Sequence, residues 1–233
     1  MRTPRAGILL SLNRATTTAR LLSGAVHEAN NALHVISGTI ELAADRDLPP
    51  ALVTALARIQ RQTVAATEAL ARVVEFEGAP LEGEAEVDLQ TVVAHSTALR
   101  AFAVRRAGVT LTVEPAPEPV IVRGNRGRIQ QAILNVIINA EHAVASGSGV
   151  ITISTVVSER QVEIRVADNG RGLQAGIDPF LPFGGDDEAT DRMDQPPGLG
   201  LWAARTILTA RGGDLTLESA QPGTIAILTL PRR

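Results

Sequence analysis

The stretch IRVADNGRGL, residues 164–173, is a strand-like run that ends in an acid and opens into a glycine-rich turn. A carboxylate at the end of a buried strand can accept a hydrogen bond from an exocyclic amine, so Asp168 is expected at the mouth of a pocket. Gly170 and Gly172 would let a ligand approach the backbone closely and would expose N–H groups that suit phosphate. The same residue types also occur in ordinary surface turns, so the flanking sequence has to separate the two interpretations.

A helix is predicted upstream of this turn, over residues 129–144. Its apolar side chains recur on one face, at Ile129, Ala132, Ile133, Val136, Ala140, Ala143 and Val144. The other side carries a stripe of polar side chains at spacings of four, four and three residues, Gln131, Asn135, Asn139 and His142. Carboxamide oxygens suit Mg²⁺, which prefers oxygen ligands. The stripe therefore indicates either a magnesium site beside a phosphate or an ordinary polar helix face.

A second glycine turn, PGLGL at residues 197–201, leads directly into a predicted helix over residues 202–210. A glycine turn that precedes a helix N-terminus can bind phosphate, because the free N–H groups and the helix dipole both favour an anion. Between the two turns, residues 183–196 contain few apolar side chains, and both ends of this segment lie at the expected pocket. We therefore predict that the segment is a mobile lid.

Three segments, LNVIINAEHAV, VADNGRGL and PPGLGLWAARTILTARGG, together resemble the N, G1 and G2 boxes of the GHKL ATPase superfamily, in the version carried by bacterial sensor histidine kinases. Their order and spacing also match, and the resemblance covers about residues 88–233. The pattern departs from the family at Pro196, which replaces the first glycine of the last box. The lid also lacks the usual Thr-Lys pair after Phe183. These departures favour nucleotide binding over fast phosphoryl transfer.

The resemblance implies ATP as a ligand and Mg²⁺ as its cation. It implies that Asp168 accepts a hydrogen bond from the adenine amino group, that Asn139 binds the magnesium and that Asn135 supports it. His142 stands where a basic side chain near the phosphates is frequent in the family. The pocket and the phosphate loop would be formed by residues of both glycine turns, Gly170, Gly172, Gly198, Leu199, Gly200 and Leu201.

Two long helices are predicted over residues 15–77, because apolar side chains recur at alternating spacings of four and three residues. The first seam runs from Leu22 to Ala43 and the second from Leu52 to Val73. Pro49 and Pro50 end the first helix, so the pair forms an antiparallel hairpin. A hairpin cannot bury so long a seam alone, which predicts a homodimer with a four-helix bundle. The alternative is that residues 88–233 cover the seam within one chain.

The first of these helices contains VHEANNAL, residues 26–33, which resembles the phosphoacceptor H box of dimerising histidine kinase domains. A neutral imidazole is a competent nucleophile toward a γ-phosphoryl group, and Glu28 can take the proton of His27 or fix its tautomer. Asn31 lies one turn along and could orient a water molecule. Without the nucleotide boxes, His27 would be interpreted as a solvated helix histidine, as His34 is here.

Composition limits the class of protein. The chain has 233 residues, a net charge of −3 and no cysteine, and no apolar run approaches the ~20 residues that span a bilayer. Membrane insertion is therefore not expected. Acids and bases are intermixed, so nucleic acid is not an expected partner either. The lack of cysteine excludes disulfides and thiolate metal sites, which fits a cytoplasmic location.

The predicted fold class is α+β, with the helical hairpin of a dimeric four-helix bundle followed by a two-layer α/β sandwich of the GHKL, or Bergerat, type. The chain is expected to divide into an N-terminal segment 1–14, a dimerisation and histidine-phosphotransfer hairpin 15–77, a linker 78–87 and a catalytic ATP-binding domain 88–233. In that domain, Asp88 is the expected N-cap of a helix that ends near Arg106. Six strands are expected, at residues 109–113, 120–122, 150–157, 162–167, 213–219 and 224–230.

These patterns support three hypotheses. The first is a cytoplasmic, dimeric histidine kinase without a sensor segment of its own. It would autophosphorylate His27 and pass the phosphoryl group to an aspartate on the receiver domain of a separate response regulator, with a separate sensor or regulatory protein as its input. Dephosphorylation of that regulator through Asn31 would be a second activity. The alternatives are a nucleotide-gated binding protein that lacks the kinase reaction and a histidine phosphotransferase that needs no ATP, although a relay has no use for Asp168 and Asn139.

Overall fold

A computed structural model describes residues 9–18, 82–174, 176, 178–181 and 199–232. The chain divides into two compact units, one of Met1–Thr17 with Ala79–Arg233 and the other of Thr18–Gly78. Apart from Thr18, every described residue belongs to the first unit. The predicted H box with His27, Glu28 and Asn31, nearly all of the hairpin, the lid and Gly198 lie outside the described residues.

The first elements of the described domain are strand β1 (Ala85–Asp88), helix α1 (Leu89–Arg106), and strands β2 (Thr110–Glu114) and β3 (Ile121–Gly124). Helix α1 begins where the sequence predicts, because the carboxylate of Asp88 accepts hydrogen bonds from the Gln90 backbone N–H at 3.1 Å and from the Thr91 hydroxyl at 2.6 Å. The predicted N-cap and the helix end at Arg106 are thus confirmed.

Helix α2 (Arg126–Ala143) carries the polar stripe. It begins at the N-cap Asn125, whose side-chain oxygen accepts the Arg128 N–H at 3.0 Å. Helix α1 is attached to it by a nearly buried ion pair in which the Arg100 guanidinium donates to both Glu141 oxygens, at 2.9 and 2.6 Å. Such a bidentate pair fixes both distance and orientation. Helix α2 is buried on almost all sides, since eleven of the twelve residues from Gly127 to Ile138 are buried.

The remaining elements are strands β4 (Val150–Val157) and β5 (Gln161–Asp168), helix α3 (Gly200–Thr209), and strands β6 (Asp214–Ser219) and β7 (Thr224–Pro231). Five strands form one sheet in the order β2-β4-β5-β7-β6, in which only β2 and β4 are parallel. Strands β1 and β3 form a separate antiparallel pair. The six predicted strands are all present, with ends within one or two residues of the expected ones.

One layer is the sheet and the other consists of the three helices, and their buried side chains form the core. Alternate residues of β5, such as Val162, Ile164 and Val166, are buried together with Ile133 and Ile137 of α2. The expected two-layer α/β sandwich is therefore confirmed. None of the helices described is long and apolar enough to cross a membrane.

Two segments differ from simple expectation. The range expected to be a linker, 78–87, includes most of β1, where Val87 is buried and the Glu84 carboxylate forms ion pairs with Arg123 and Arg211. The N-terminal range 1–14 carries no usable apolar period, yet residues 9–18 are helical. We call this segment the 9–18 helix. Its Leu10 belongs to the hydrophobic core of the domain, which gives the segment a fixed place.

Candidate nucleotide-binding site

Asp168 is the last residue of β5 and lies at the centre of the sheet. It pairs with Ile151 of β4 on one side and with Thr224 of β7 on the other. The residue is only 8% exposed, and its Oδ1 accepts a hydrogen bond from the Gly170 N–H at 2.8 Å. Burial raises the pKa of Asp168 above its ordinary value, while hydrogen bonds from the Gly170 and Thr224 backbone oppose the rise. A buried carboxylate with acceptor positions left over is suited to bind the amino group of a base.

The glycine turn after Asp168 packs directly against the C-terminal end of α2. A Cβ atom at Gly170 would lie 2.4 Å from the carbonyl oxygen of Ala143, so only glycine fits. The next residue, Arg171, donates its N–H to the same oxygen at 3.1 Å. Gly172 has a φ of +75°, a conformation that glycine adopts without strain. The first glycine turn and the end of the polar stripe are therefore held together by backbone contacts.

Gly223 is a further residue of this site that the sequence does not reveal. It precedes β7 with a φ of +99°, and a Cβ atom there would lie 1.7 Å from the backbone oxygen of Asp168. A side chain at this position would displace the strand end that carries the carboxylate. The sequence around Gly223 predicts a turn between two strands, but nothing in it indicates that the turn touches Asp168, which lies 55 residues earlier.

The polar stripe of α2 is not uniform. Gln131 and Asn135 are buried, at 1% and 4% exposure, whereas Asn139 and His142 are exposed. The expectation that the whole stripe lies opposite the buried face of the helix is therefore wrong for its first half. The reason is tertiary packing, because α3 and the 9–18 helix cover that side of α2. Only the second half of the stripe is accessible to a cation.

The second glycine turn reaches the middle of α2. A Cβ atom at Gly200 would lie 3.8 Å from the Cβ and the backbone oxygen of Asn135, so the start of α3 approaches this carboxamide closely. The N-cap residue Leu199 supplies no side-chain cap, so the first N–H groups of α3 can donate hydrogen bonds to an anion. The side chains of Leu199 and Leu201 are buried at 2% and 8% exposure, so these two residues could contact a nucleotide only through their backbone.

The structure thus brings most of the predicted nucleotide residues into one region around α2. Gly170 meets the end of the helix, and Gly200 meets Asn135 in its middle. No group of three His, Cys, Asp or Glu side chains within the described ranges could hold a metal ion. A magnesium ion at Asn139 would therefore take its other ligands from phosphate and water, as Mg²⁺ commonly does. The donor set fits a metal that arrives with its nucleotide.

Comparison with known proteins agrees with this geometry. Residues 124–233 match the family "Histidine kinase-, DNA gyrase B-, and HSP90-like ATPase". The chain is 29% identical over 235 residues to the sensor protein FixL of Bradyrhizobium diazoefficiens, covering 96% of this chain and 45% of FixL. It spans about half or less of the length of the sensor histidine kinases that it resembles.

Solved structures give the same fold. The catalytic domain of the histidine kinase ThkA superposes with a TM-score of 0.58 at 23% identity, covering 65% of this chain and 99% of that domain. The mycobacterial sensor histidine kinase MprB superposes with a TM-score of 0.53 at 26% identity, covering 65% of this chain and 99% of that structure.

The fold, the site and the family match define an ATP-binding domain of the GHKL class. Asp168 with its glycine turn, the stripe of α2 and the start of α3, which has no side-chain cap, lie together in that domain. The family match over residues 124–233 and the similarity to sensor histidine kinases over nearly all of the chain support a histidine kinase catalytic core.

Proposed function

We propose that the chain is an ATP-dependent protein-histidine kinase of a two-component system. It would autophosphorylate His27 and transfer the phosphoryl group to an aspartate on the receiver domain of a separate response regulator. The observation that carries the proposal is the buried carboxylate of Asp168, fixed at the end of β5 beside a glycine turn that no larger residue could form. A site of this kind recognises a base, which a relay without ATP would not need.

Nucleotide binding would use the three elements in different ways. The Asp168 carboxylate would accept the adenine amino group, and the start of α3 would face the phosphates with its free N–H groups. The exposed Asn139 would ligate Mg²⁺, and the exposed His142 would lie near the phosphates. The cation, when bound, would supply charge neutralisation at the phosphoryl group, and the residues named would orient it and the nucleotide.

The phosphoacceptor half of the proposal rests on the sequence. His27 would be the nucleophile, Glu28 would take its proton or hold the reactive tautomer, and Asn31 would orient a water for dephosphorylation of the regulator. The similarity to the sensor protein FixL extends across these residues, since it covers 96% of the chain. A homodimer formed through residues 15–77, a receiver domain and a separate sensor or regulatory protein are the proposed partners.

The test is incubation with γ-labelled ATP and magnesium. We expect wild-type protein to acquire an acid-labile, base-stable label, as phosphohistidine requires, and His27→Gln to abolish it. His34→Gln is a matched control, because it removes a histidine seven residues further along the same predicted helix and should leave labelling unchanged. Protein that binds ATP but stays unlabelled would contradict the kinase proposal.

A second arm separates the remaining hypotheses. A receiver domain phosphorylated on its aspartate is mixed with unlabelled protein in the absence of ATP. A histidine phosphotransferase would take label onto His27 from the receiver domain, whereas a nucleotide-gated binding protein would not. Asn139→Asp should suppress labelling from ATP without blocking this transfer, because the change lies in the metal site and not at the phosphoacceptor.

A further inference from the structure

The 9–18 helix contacts α2 through a single face. Leu10, Asn13 and Thr17 are spaced three and four residues apart, and all three are buried. Ser11, Leu12 and Ala15 on the other side are exposed. Asn13, at 5% exposure, is the centre of the contact. A buried carboxamide is stable only when its hydrogen bonds are made, so its partners define what this helix is attached to.

Those partners are the two buried members of the polar stripe. Asn13 and Asn135 form a reciprocal pair, in which Asn13 Nδ2 donates to Asn135 Oδ1 at 3.2 Å and Asn135 Nδ2 donates to Asn13 Oδ1 at 2.9 Å. Gln131 Nε2 donates to Asn13 Oδ1 as well, at 2.7 Å. Both acceptor positions of the Asn13 oxygen are therefore used by α2.

The acceptor positions of the Asn135 side-chain oxygen are also used. A carboxamide oxygen accepts two hydrogen bonds, and Asn135 Oδ1 receives one from Asn13 and a second from the Thr17 hydroxyl at 3.3 Å. The Thr17 hydroxyl has one hydrogen and also lies 3.0 Å from the Asn13 backbone oxygen, so its bond to Asn135 is the weaker of the two. With the 9–18 helix in place, Asn135 has little acceptor capacity left for a cation or its water shell.

We propose that the 9–18 helix competes with Mg-ATP for the face of α2 that carries Gln131 and Asn135, with Asn13 as the residue that makes the two states exclusive. The inference deepens the proposed function and rests on it, because Asn135 belongs to the nucleotide site. The start of α3 lies against the same carboxamide, so a nucleotide whose phosphates meet α3 would have to displace Asn13. The segment that would regulate access is thus part of the chain itself, and its last four residues are the first four of the proposed phosphotransfer hairpin 15–77.

The test compares Mg-ATP affinity by calorimetry in full-length wild type and two variants. Asn13→Ala removes the reciprocal pair and should bind Mg-ATP about tenfold more tightly, as expected if the helix is docked in about nine molecules of ten. Thr17→Val keeps the shape of the side chain and removes the hydroxyl, which takes away the 3.3 Å bond to Asn135 and the 3.0 Å bond to the Asn13 backbone oxygen within the helix. The Asn13–Asn135 pair remains, so a smaller gain of about threefold is expected. Thr16→Ala is the matched control, since the Thr16 hydroxyl bonds only to the Leu12 carbonyl within the helix. Its affinity should equal that of wild type.

Hydrogen exchange supplies a readout that does not depend on the variants. Amides of residues 9–17 in wild-type protein should exchange severalfold faster with saturating Mg-ATP than without it, and Asn13→Ala should exchange fast in both conditions. Equal Mg-ATP affinity of wild type and Asn13→Ala, or exchange that nucleotide leaves unchanged, would overturn the competition and leave the proposed function intact. If neither protein bound Mg-ATP, the nucleotide site itself would be refuted and the competition with it.

Discussion

The buried carboxylate of Asp168 is the group that we propose accepts a hydrogen bond from the adenine amino group. Asp168→Asn should weaken Mg-ATP binding by about 1.5–3 kcal/mol, the scale of a lost charge-assisted hydrogen bond. Trp202 is the one tryptophan of the chain and lies two residues after Gly200, so its fluorescence can report the titration with Mg-ATP. Glu218→Gln removes an equal charge from an exposed position on β6 and serves as the control. Equal affinities in wild type and Asp168→Asn would remove the assignment.

The raised pKa of Asp168 also predicts an effect on stability. The folded protein holds this proton more tightly than the unfolded chain does, so the free energy of unfolding should fall as pH rises from the ordinary pKa of about 3.9 through the raised one. Asp168→Asn lacks this component. The free energy of unfolding of the variant, relative to that of wild type, should therefore be higher at neutral pH than at pH 4. Urea unfolding at a series of pH values, followed by Trp202 fluorescence, measures the difference. A variant–wild-type difference that does not change with pH would contradict the raised pKa.

Gly170 tests the close approach of the first glycine turn to α2. Gly170→Ala should lower the free energy of unfolding by about 1–3 kcal/mol, because its Cβ would lie 2.4 Å from a backbone oxygen that cannot move freely. Gly200→Ala is the matched control, since a Cβ there meets only ordinary contacts at 3.8 Å and stands at the start of a helix. Two variants of equal stability in urea would show that the turn can move away from α2.

At this scale the sequence predicts residues whose chemistry follows from a local pattern. Asp168 and Gly170 are of this kind, because a strand, an acid and a glycine turn follow one another directly in the chain. Asn13 and Gly223 are not, since their partners Asn135 and Asp168 lie 122 and 55 residues away and no period connects them. Such contacts depend on how whole elements pack.

At the scale of single elements, the start of α1 offers a direct test. Asp88→Ala should destabilise the domain by about 1 kcal/mol at pH 7, because the Gln90 N–H and the Thr91 hydroxyl lose their acceptor. The hydrogen bond from Thr91 lowers the pKa of Asp88 most, so the contribution is present above the ordinary pKa and is lost as pH falls through the lowered one.

The measurement for Asp88 is urea unfolding at pH 7 and at pH 2. The difference in free energy of unfolding between wild type and Asp88→Ala should be smaller at pH 2 than at pH 7. Asp88→Asn keeps an acceptor oxygen and should behave nearly like wild type at pH 7, which separates loss of the cap from loss of the charge. If Asp88→Ala lowered the free energy of unfolding equally at both pH values, the Asp88 side chain would stabilise the domain by packing and not through its charge.

Elements were predictable where their ends are determined locally. The N-cap Asp88 and the alternation in β4 and β5 specify their elements within a few residues, and the structure agrees. The burial of Gln131 and Asn135 was not predictable. Two carboxamides one turn apart give the same sequence pattern whether the helix face is exposed to solvent or buried against another helix that supplies their hydrogen-bond partners. The helical state of residues 9–14 depends in the same way on a surface supplied by α2.

At the scale of the whole molecule, the two seams predict assembly. The protein should be a dimer by light scattering at tens of micromolar, with or without nucleotide. Leu56→Glu places a charge in the second seam and should shift the protein toward monomer, whereas Gln60→Glu on the same predicted helix lies outside the seam and should not. Wild-type protein that is monomeric at this concentration would contradict the four-helix bundle. It would favour the alternative in which residues 88–233 cover the seam within one chain.

Strand β7 follows all of its sheet partners in the chain, yet it lies between β5 and β6. A nascent chain that has emerged from the ribosome only as far as β6 therefore has two strand edges with nothing between them. Asp168 also lacks Thr224 and Gly223 at that stage. The sheet of this domain is complete only when residues 224–231 have been made, and so are the backbone surroundings of Asp168. Until then the unpaired edges of β5 and β6 are exposed to pairing with other chains, which is a route to aggregation.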